Sequence, residues 1–160
     1  MMSRLKERLR VHEGYSLARY DDTEGTPTIG VGFNLRRADA ARILASVGAP
    51  PLDAVLHGQP LTDDQVDKIL DLCVRQAEGE AETLVSDWSE HPEVIREVLI
   101  ELVFNMGMEK VRKFVNFLRA VEERDYIAAS VHLRDSRWYK QVKTRGPALV
   151  ALVESAAKEA

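Results

Sequence analysis

Thiols are nearly absent from this chain. Cys73 is the one cysteine among 160 residues, so no internal disulfide can form and the fold assumes nothing about an oxidising compartment. It follows Ile69 and Leu70 at helical spacing, which suits a small core residue better than a nucleophile. Histidine is scarce and scattered: His12, His57, His91 and His132 share no HExxH or Cys/His spacing, so neither a metal site nor a cofactor is expected. Gly30-x-Gly32 lacks a third glycine and follows a turn, which excludes a phosphate-cradling loop and leaves tight backbone packing as its reason. No apolar run approaches the roughly 20 residues that span a bilayer, and the first ten residues, MMSRLKERLR, lack the apolar core of a signal peptide. Stable membrane insertion is therefore not expected. A substrate outside the cytoplasm would have to be reached by some other delivery route.

What is present describes a water-soluble globular chain, 45% hydrophobic and 30% charged, long enough for one domain or one two-lobed domain. The net charge of -4 hides a segregation. Residues 62–109 carry 13 acidic and 3 basic side chains, whereas 110–145 carry 10 basic and 4 acidic. Charge runs are usually solvated helix faces; the sharper reading is a basic region facing an anionic polymer. Nucleic acid is not the expected partner, because no recognition motif accompanies the basic run and aromatics are only 6% of the chain.

Periodicity divides the chain. An amphipathic run with Leu5 and Leu9 ends at Glu13, with Gly14 as a helix stop. Residues 15–20 read as extended, Asp22–Thr23–Glu24–Gly25 as a turn, and Thr28–Phe33 as a returning strand. A short helix is expected near Ala38–Val47, then a loop from Ala49 to Pro60. Thr62–Asp63–Asp64–Gln65 is a capping box that opens a helix reaching about Leu84. The remainder is helical by pattern. Pro92 opens a run from Val94 to Met106 that is apolar over a wide arc, as a central bundle helix is, and Gly107 stops it.

The helix end and the hairpin turn each contribute a carboxylate, and two acids on different elements are the minimum apparatus for cleaving an acetal. The carbonyl end of the helix dipole disfavours negative charge at Glu13, and burial against the hairpin would add to that, which suits a proton donor. Asp22, in a polar turn with backbone NH groups at hand, suits a carboxylate. Asp21 precedes it, and strand alternation lets only one of the two face the same side.

Glu13–Gly14, Tyr20, Asp22, Thr23–Glu24–Gly25 and Thr28–Ile29–Gly30–Val31–Gly32 stand in an order and spacing that resemble the T-even phage lysozyme family. Val103–Phe104–Asn105–Met106–Gly107, followed by Phe114 and Asn116, and Ser136–Arg137–Trp138–Tyr139 before Arg145 continue the likeness over most of the chain. The resemblance implies an α+β, mostly α, lysozyme-like fold. A small N-terminal lobe with a β-hairpin (about 13–61) would be joined by a long helix (about 62–84) to a C-terminal helical lobe (about 85–160), on which helix 2–13 packs. It implies a monomeric, bacteriolytic muramidase of the endolysin kind, cleaving the β-1,4 bond between N-acetylmuramic acid and N-acetylglucosamine in peptidoglycan with inversion. By position, Glu13 is the general acid, Asp22 assists opposite, Thr28 helps hold the attacking water, and Arg145 pairs with the acid. Phe33, Leu35, Phe104, Asn105, Phe114 and Asn116 are the implied substrate contacts. Such an enzyme would be made in a host bacterium's cytoplasm and reach the wall after holin-type release. Two departures stand out. Phe33 replaces a histidine of the family, and Glu101 replaces an uncharged amide, from where it could compete for Arg145. The rival readings are an inactive lysozyme-like glycan-binding domain and a helical interaction module using the basic 110–145 region.

Overall fold

The computed structural model describes residues 2–159, which fall into two compact units, 2–75 and 76–159. The fold is mostly helical with one small antiparallel sheet, an α+β lysozyme-like arrangement.

In the first unit, α1 (Met2–Glu13) buries Leu5 and Leu9 completely, while its charged residues reach outward to neighbours. Lys6 bridges Asp67 at 2.9 Å and Asp71 at 2.7 Å, and Arg10 holds Asp67 at 2.5 Å, which fastens α1 to α4 (Asp63–Ala81). The capping box forms reciprocally: Gln65 N–H donates to Thr62 Oγ1 at 3.1 Å, and Thr62 N–H to Gln65 Oε1 at 3.0 Å.

Between α1 and α4 lies a three-stranded sheet in the order β1 (Ser16–Asp21), β2 (Pro27–Gly30), β3 (Phe33–Asn34). Tyr20 pairs with Thr28 and Asp21 with Pro27; Thr28 in turn pairs with Asn34. The expected single strand over 28–33 is thus two strands. Gly30 and Gly32 both take positive φ, at 63° and 65°, so the chain reverses there instead of continuing. Asn34 then ends the sheet with an Asx turn, its Oδ1 accepting from Arg36 N–H at 2.7 Å. The short helix α2 (Ala40–Ser46) lies where the pattern placed it. The expected loop to Pro60 contains a one-turn helix, α3 (Leu52–Leu56), whose last carbonyl accepts from Arg19 of β1 at 2.8 Å.

The second unit is a helical cluster around α5 (Glu93–Met106). Ile95, Val98, Leu99, Ile100, Leu102 and Val103 are all buried, as expected of a helix apolar nearly all round. Gly107 caps it at φ 85°. The chain continues through α6 (Met108–Arg112), α7 (Val115–Glu122), α8 (Tyr126–Arg134), α9 (Arg137–Gln141) and α10 (Arg145–Glu159). α10 packs on α5, α8 and α9, and α7 packs on α8. Asp125 and Ser136 cap α8 and α9 by accepting backbone N–H bonds from Ala128 at 3.0 Å and Tyr139 at 3.1 Å.

Candidate active site

Glu13 is the last residue of α1. Gly14 ends the helix at φ 90°, its N–H returning to Arg10 O at 3.1 Å. From β1, the Tyr20 hydroxyl donates to the Glu13 carbonyl at 3.4 Å. The Glu13 side chain lies against the turn between β2 and β3: an added Cβ at Gly32 would stand 2.8 Å from its Oε1 and 3.1 Å from its Cβ. Its Oε2 is shielded from solvent.

Asp22 sits at the tip of the β1–β2 hairpin, which closes by Asp22 N–H to Thr26 O at 3.0 Å and Gly25 N–H to Asp22 O at 3.0 Å. Its Oδ1 accepts from the backbone N–H of Glu24 at 2.8 Å and of Thr26 at 2.9 Å. Two donors on one oxygen fix the carboxylate plane while Oδ2 keeps its acceptor capacity. Asp22 is exposed. Its neighbour Asp21 is engaged by Arg19 at 3.2 Å, two residues earlier on the same strand face.

Thr28 pairs with Tyr20 across the sheet and is 4% exposed. Its hydroxyl donates to Thr26 O at 2.8 Å. Tyr20 senses both acids: burial, then the negative charges of Glu13 and Asp22, push its phenol above the ordinary range, so it remains a protonated donor. Sequence order singled out Glu13, Asp22 and Thr28; Tyr20 stood in the motif without a role. The closeness of Gly32 to Glu13 had only the Gly-x-Gly signal, which says nothing of what approaches it.

Phe33 and Leu35 are both buried, at 3% and 2% exposure. Where the family resemblance implied a histidine, the Phe33 ring carries the Arg37 guanidinium 5.3 Å above its centroid. Arg37 is clamped by Asp39 at 2.8 and 2.9 Å, a pair that holds the Asp39 carboxyl below the usual range, and it also donates to Cys73 Sγ at 3.6 Å.

The other sequence-predicted residues belong to the helical unit. Phe104 and Asn105 are half-buried at the end of α5, and Asn105 Oδ1 accepts from Trp138 Nε1 at 2.9 Å. Phe114, half-buried before α7, meets Phe117 edge-on, and Asn116 is exposed. Arg145 opens α10 and donates from Nε to Glu101 Oε2 at 3.0 Å, with side-chain exposures of only 7% and 0%. The charge at Glu101 therefore has a built-in partner, as the departure at that position suggested. Among the described residues no His, Cys, Asp and Glu group could hold a metal ion, and no helix is long and apolar enough to cross a membrane.

A family model described as phage lysozyme matches residues 10–159. Two Dictyostelium discoideum proteins, "Probable T4-type lysozyme 2" and "Probable T4-type lysozyme 1", are 27% and 28% identical, each alignment covering 97% of this chain and 96% of the relative. The "Pre-baseplate central spike protein Gp5" of Enterobacteria phage T4 is 30% identical over 93% of this chain, which spans 27% of that longer protein.

Proposed function

Because the chain belongs to the phage lysozyme family, we propose that it is a muramidase that hydrolyses the β-1,4 bond between N-acetylmuramic acid and N-acetylglucosamine with inversion at the anomeric carbon. The observation that carries this reading is the pair of acids on one small unit, held by different elements. Glu13 is seated at a helix end against the β2–β3 turn, and Asp22 is fixed by two backbone donors at the hairpin tip.

Glu13 protonates the leaving oxygen from a carboxyl whose Oε2 is shielded from solvent. Asp22 stabilises positive charge developing on the sugar and polarises the attacking water. Inversion asks for a water between the two carboxyls, a separation of about 6.5–9.5 Å. Thr28 Oγ1, whose only proton goes to Thr26 O, accepts a hydrogen bond from that water. Phe104, Asn105, Phe114 and Asn116 contribute saccharide contacts on the helical unit, while the buried Phe33 and Leu35 support the sheet that carries the acids. Lysis of a bacterial host, after a separate agent opens the inner membrane, is the role such an activity serves.

The test is hydrolysis of purified sacculi by the wild type beside Glu13→Gln, which keeps the shape and removes the transferable proton. Wild-type release of reducing ends, first as the α-anomer, with at least a 10³-fold loss in the variant, is expected from general acid catalysis worth about 10²–10⁴ plus lost positioning. Equal rates would remove Glu13 from its role, and a β-anomer product would overturn inversion. Binding to sacculi without cleavage would leave a glycan-binding domain.

A further inference from the structure

We propose that Gly32 and Tyr20 are positioning residues that together fix the carboxyl of Glu13: Gly32 by having no side chain where that carboxyl lies, Tyr20 by tethering the carbonyl of the same residue. The inference rests on the muramidase reading for the role of Glu13, and the seat itself stands on geometry.

Backbone conformation alone would justify glycine at position 32, since φ is 65°. It does not distinguish Gly32 from Gly48, which has φ 72° and open space where a Cβ would go. At Gly32 a Cβ would stand 2.8 Å from Glu13 Oε1, 3.2 Å from Cδ and 3.1 Å from Cβ. The contact with Cβ matters most. Rotating the Glu13 side chain can withdraw the carboxyl but leaves Cβ where the backbone puts it. The backbone is held on both sides, by the Gly14 N–H to Arg10 O bond and by the Tyr20 hydroxyl on the Glu13 carbonyl. Relief would therefore require the end of α1 or the β2–β3 turn to move. A side chain at 32 displaces the acid instead of merely straining a turn. Tyr20 is placed to resist the same displacement, opposite Thr28 and close enough to feel the charges of both acids.

The experiment compares wild type, Gly32→Ala, Gly48→Ala and Tyr20→Phe by steady-state hydrolysis of solubilised glycan strands, by unfolding midpoint, and by the ¹³C shift of the Glu13 carboxyl carbon at fixed pH. Both Gly32→Ala and Gly48→Ala should lose stability, because both force alanine into the left-handed region, and Gly32→Ala should lose more, because only there does the added Cβ meet Glu13. Only Gly32→Ala should lose kcat, by about 100-fold with KM nearly unchanged, the scale expected from misplacing a reacting group by about 1 Å. Only that variant and, more weakly, Tyr20→Phe should shift the Glu13 resonance. Wild-type kcat and an unmoved resonance in Gly32→Ala would overturn the proposal, as would equal kcat losses in the two alanine variants. If Gly32→Ala does not fold, Tyr20→Phe decides: a shifted resonance with lowered kcat supports the seat, and neither change overturns it. A wild type that cleaves nothing would sink the muramidase reading, while the resonance comparison would still decide the seat.

Discussion

The hydroxyl proton of Thr28 is committed to Thr26 O at 2.8 Å, so toward any other group Oγ1 can only accept. At 4% exposure the side chain is largely shielded from bulk solvent. Thr28→Val keeps the branched shape required in β2 and removes the acceptor. Its kcat should fall about 10- to 100-fold with little change in KM, since an unoriented water loses the benefit of positioning, whereas Thr28→Ser should retain most of the rate. Unchanged turnover in the valine variant would mean that Oγ1 does not orient the nucleophile. At this scale much was legible in the sequence: Glu13, Asp22 and Thr28 are separated by a helix stop and a turn whose residues name themselves. The contact between Glu13 and Gly32 was not, because it depends on how a helix end meets a turn 19 positions later. The Glu101–Arg145 pair could be raised only as a competition, since 44 residues separate partners that packing brings to 3.0 Å.

Among the elements, the caps contribute more than their size suggests. α9 is only five residues long, and one of its first-turn donors, the Tyr139 N–H, is taken up by Ser136 Oγ at 3.1 Å. Ser136→Ala should cost about 1 kcal/mol of stability, measured by chemical denaturation. A loss near zero would mean that water replaces the cap. The capping box at Thr62–Gln65, the apolar α5 and its stop at Gly107 could all be read in advance because each carries its own local signal. β3 and α3 could not. Each is at most five residues long and owes its conformation to distant partners, β3 to Thr28 and Ile29 of β2 and α3 to Arg19 of β1. The helical pattern of the remainder gives no sign that the chain after Gly107 breaks into α6 and α7 near Phe114, because the period survives a short interruption that only the backbone reveals.

For the molecule as a whole, stability rests on packing and hydrogen bonds, with no disulfide possible. One buried network makes it sensitive to acid. His91, 2% exposed, lies between Tyr126 OH at 3.0 Å and Ser86 O at 3.1 Å. A carbonyl can only accept, so Nε2 carries the proton and Nδ1 accepts from the tyrosine, the neutral tautomer. Burial pulls the His91 pKa down, opposed by the Ser86 carbonyl and by Glu122 and Asp87, and assisted by Arg124. The unfolded imidazole titrates near 6.5. Below that pH the unfolded chain takes up a proton that the folded one resists, so stability falls as pH drops and levels off above about 7. Between pH 8 and 5.5 the wild type should lose more unfolding free energy than His91→Gln, the other three histidines being common to both. Equal pH slopes would rule the network out as the cause.

Cys73 gives the first unit an internal clock. Its thiol is partly buried on α4, takes a hydrogen bond from Arg37, and is pushed by burial toward its protonated, unreactive form. The thiolate is the nucleophile that attacks a disulfide reagent, so the speed at which one labels this chain registers how often the partly buried Cys73 becomes accessible on α4. With no second thiol to compete, that exchange rate times the uncovering of Cys73 within the unit that carries both acids, without touching the catalytic cycle.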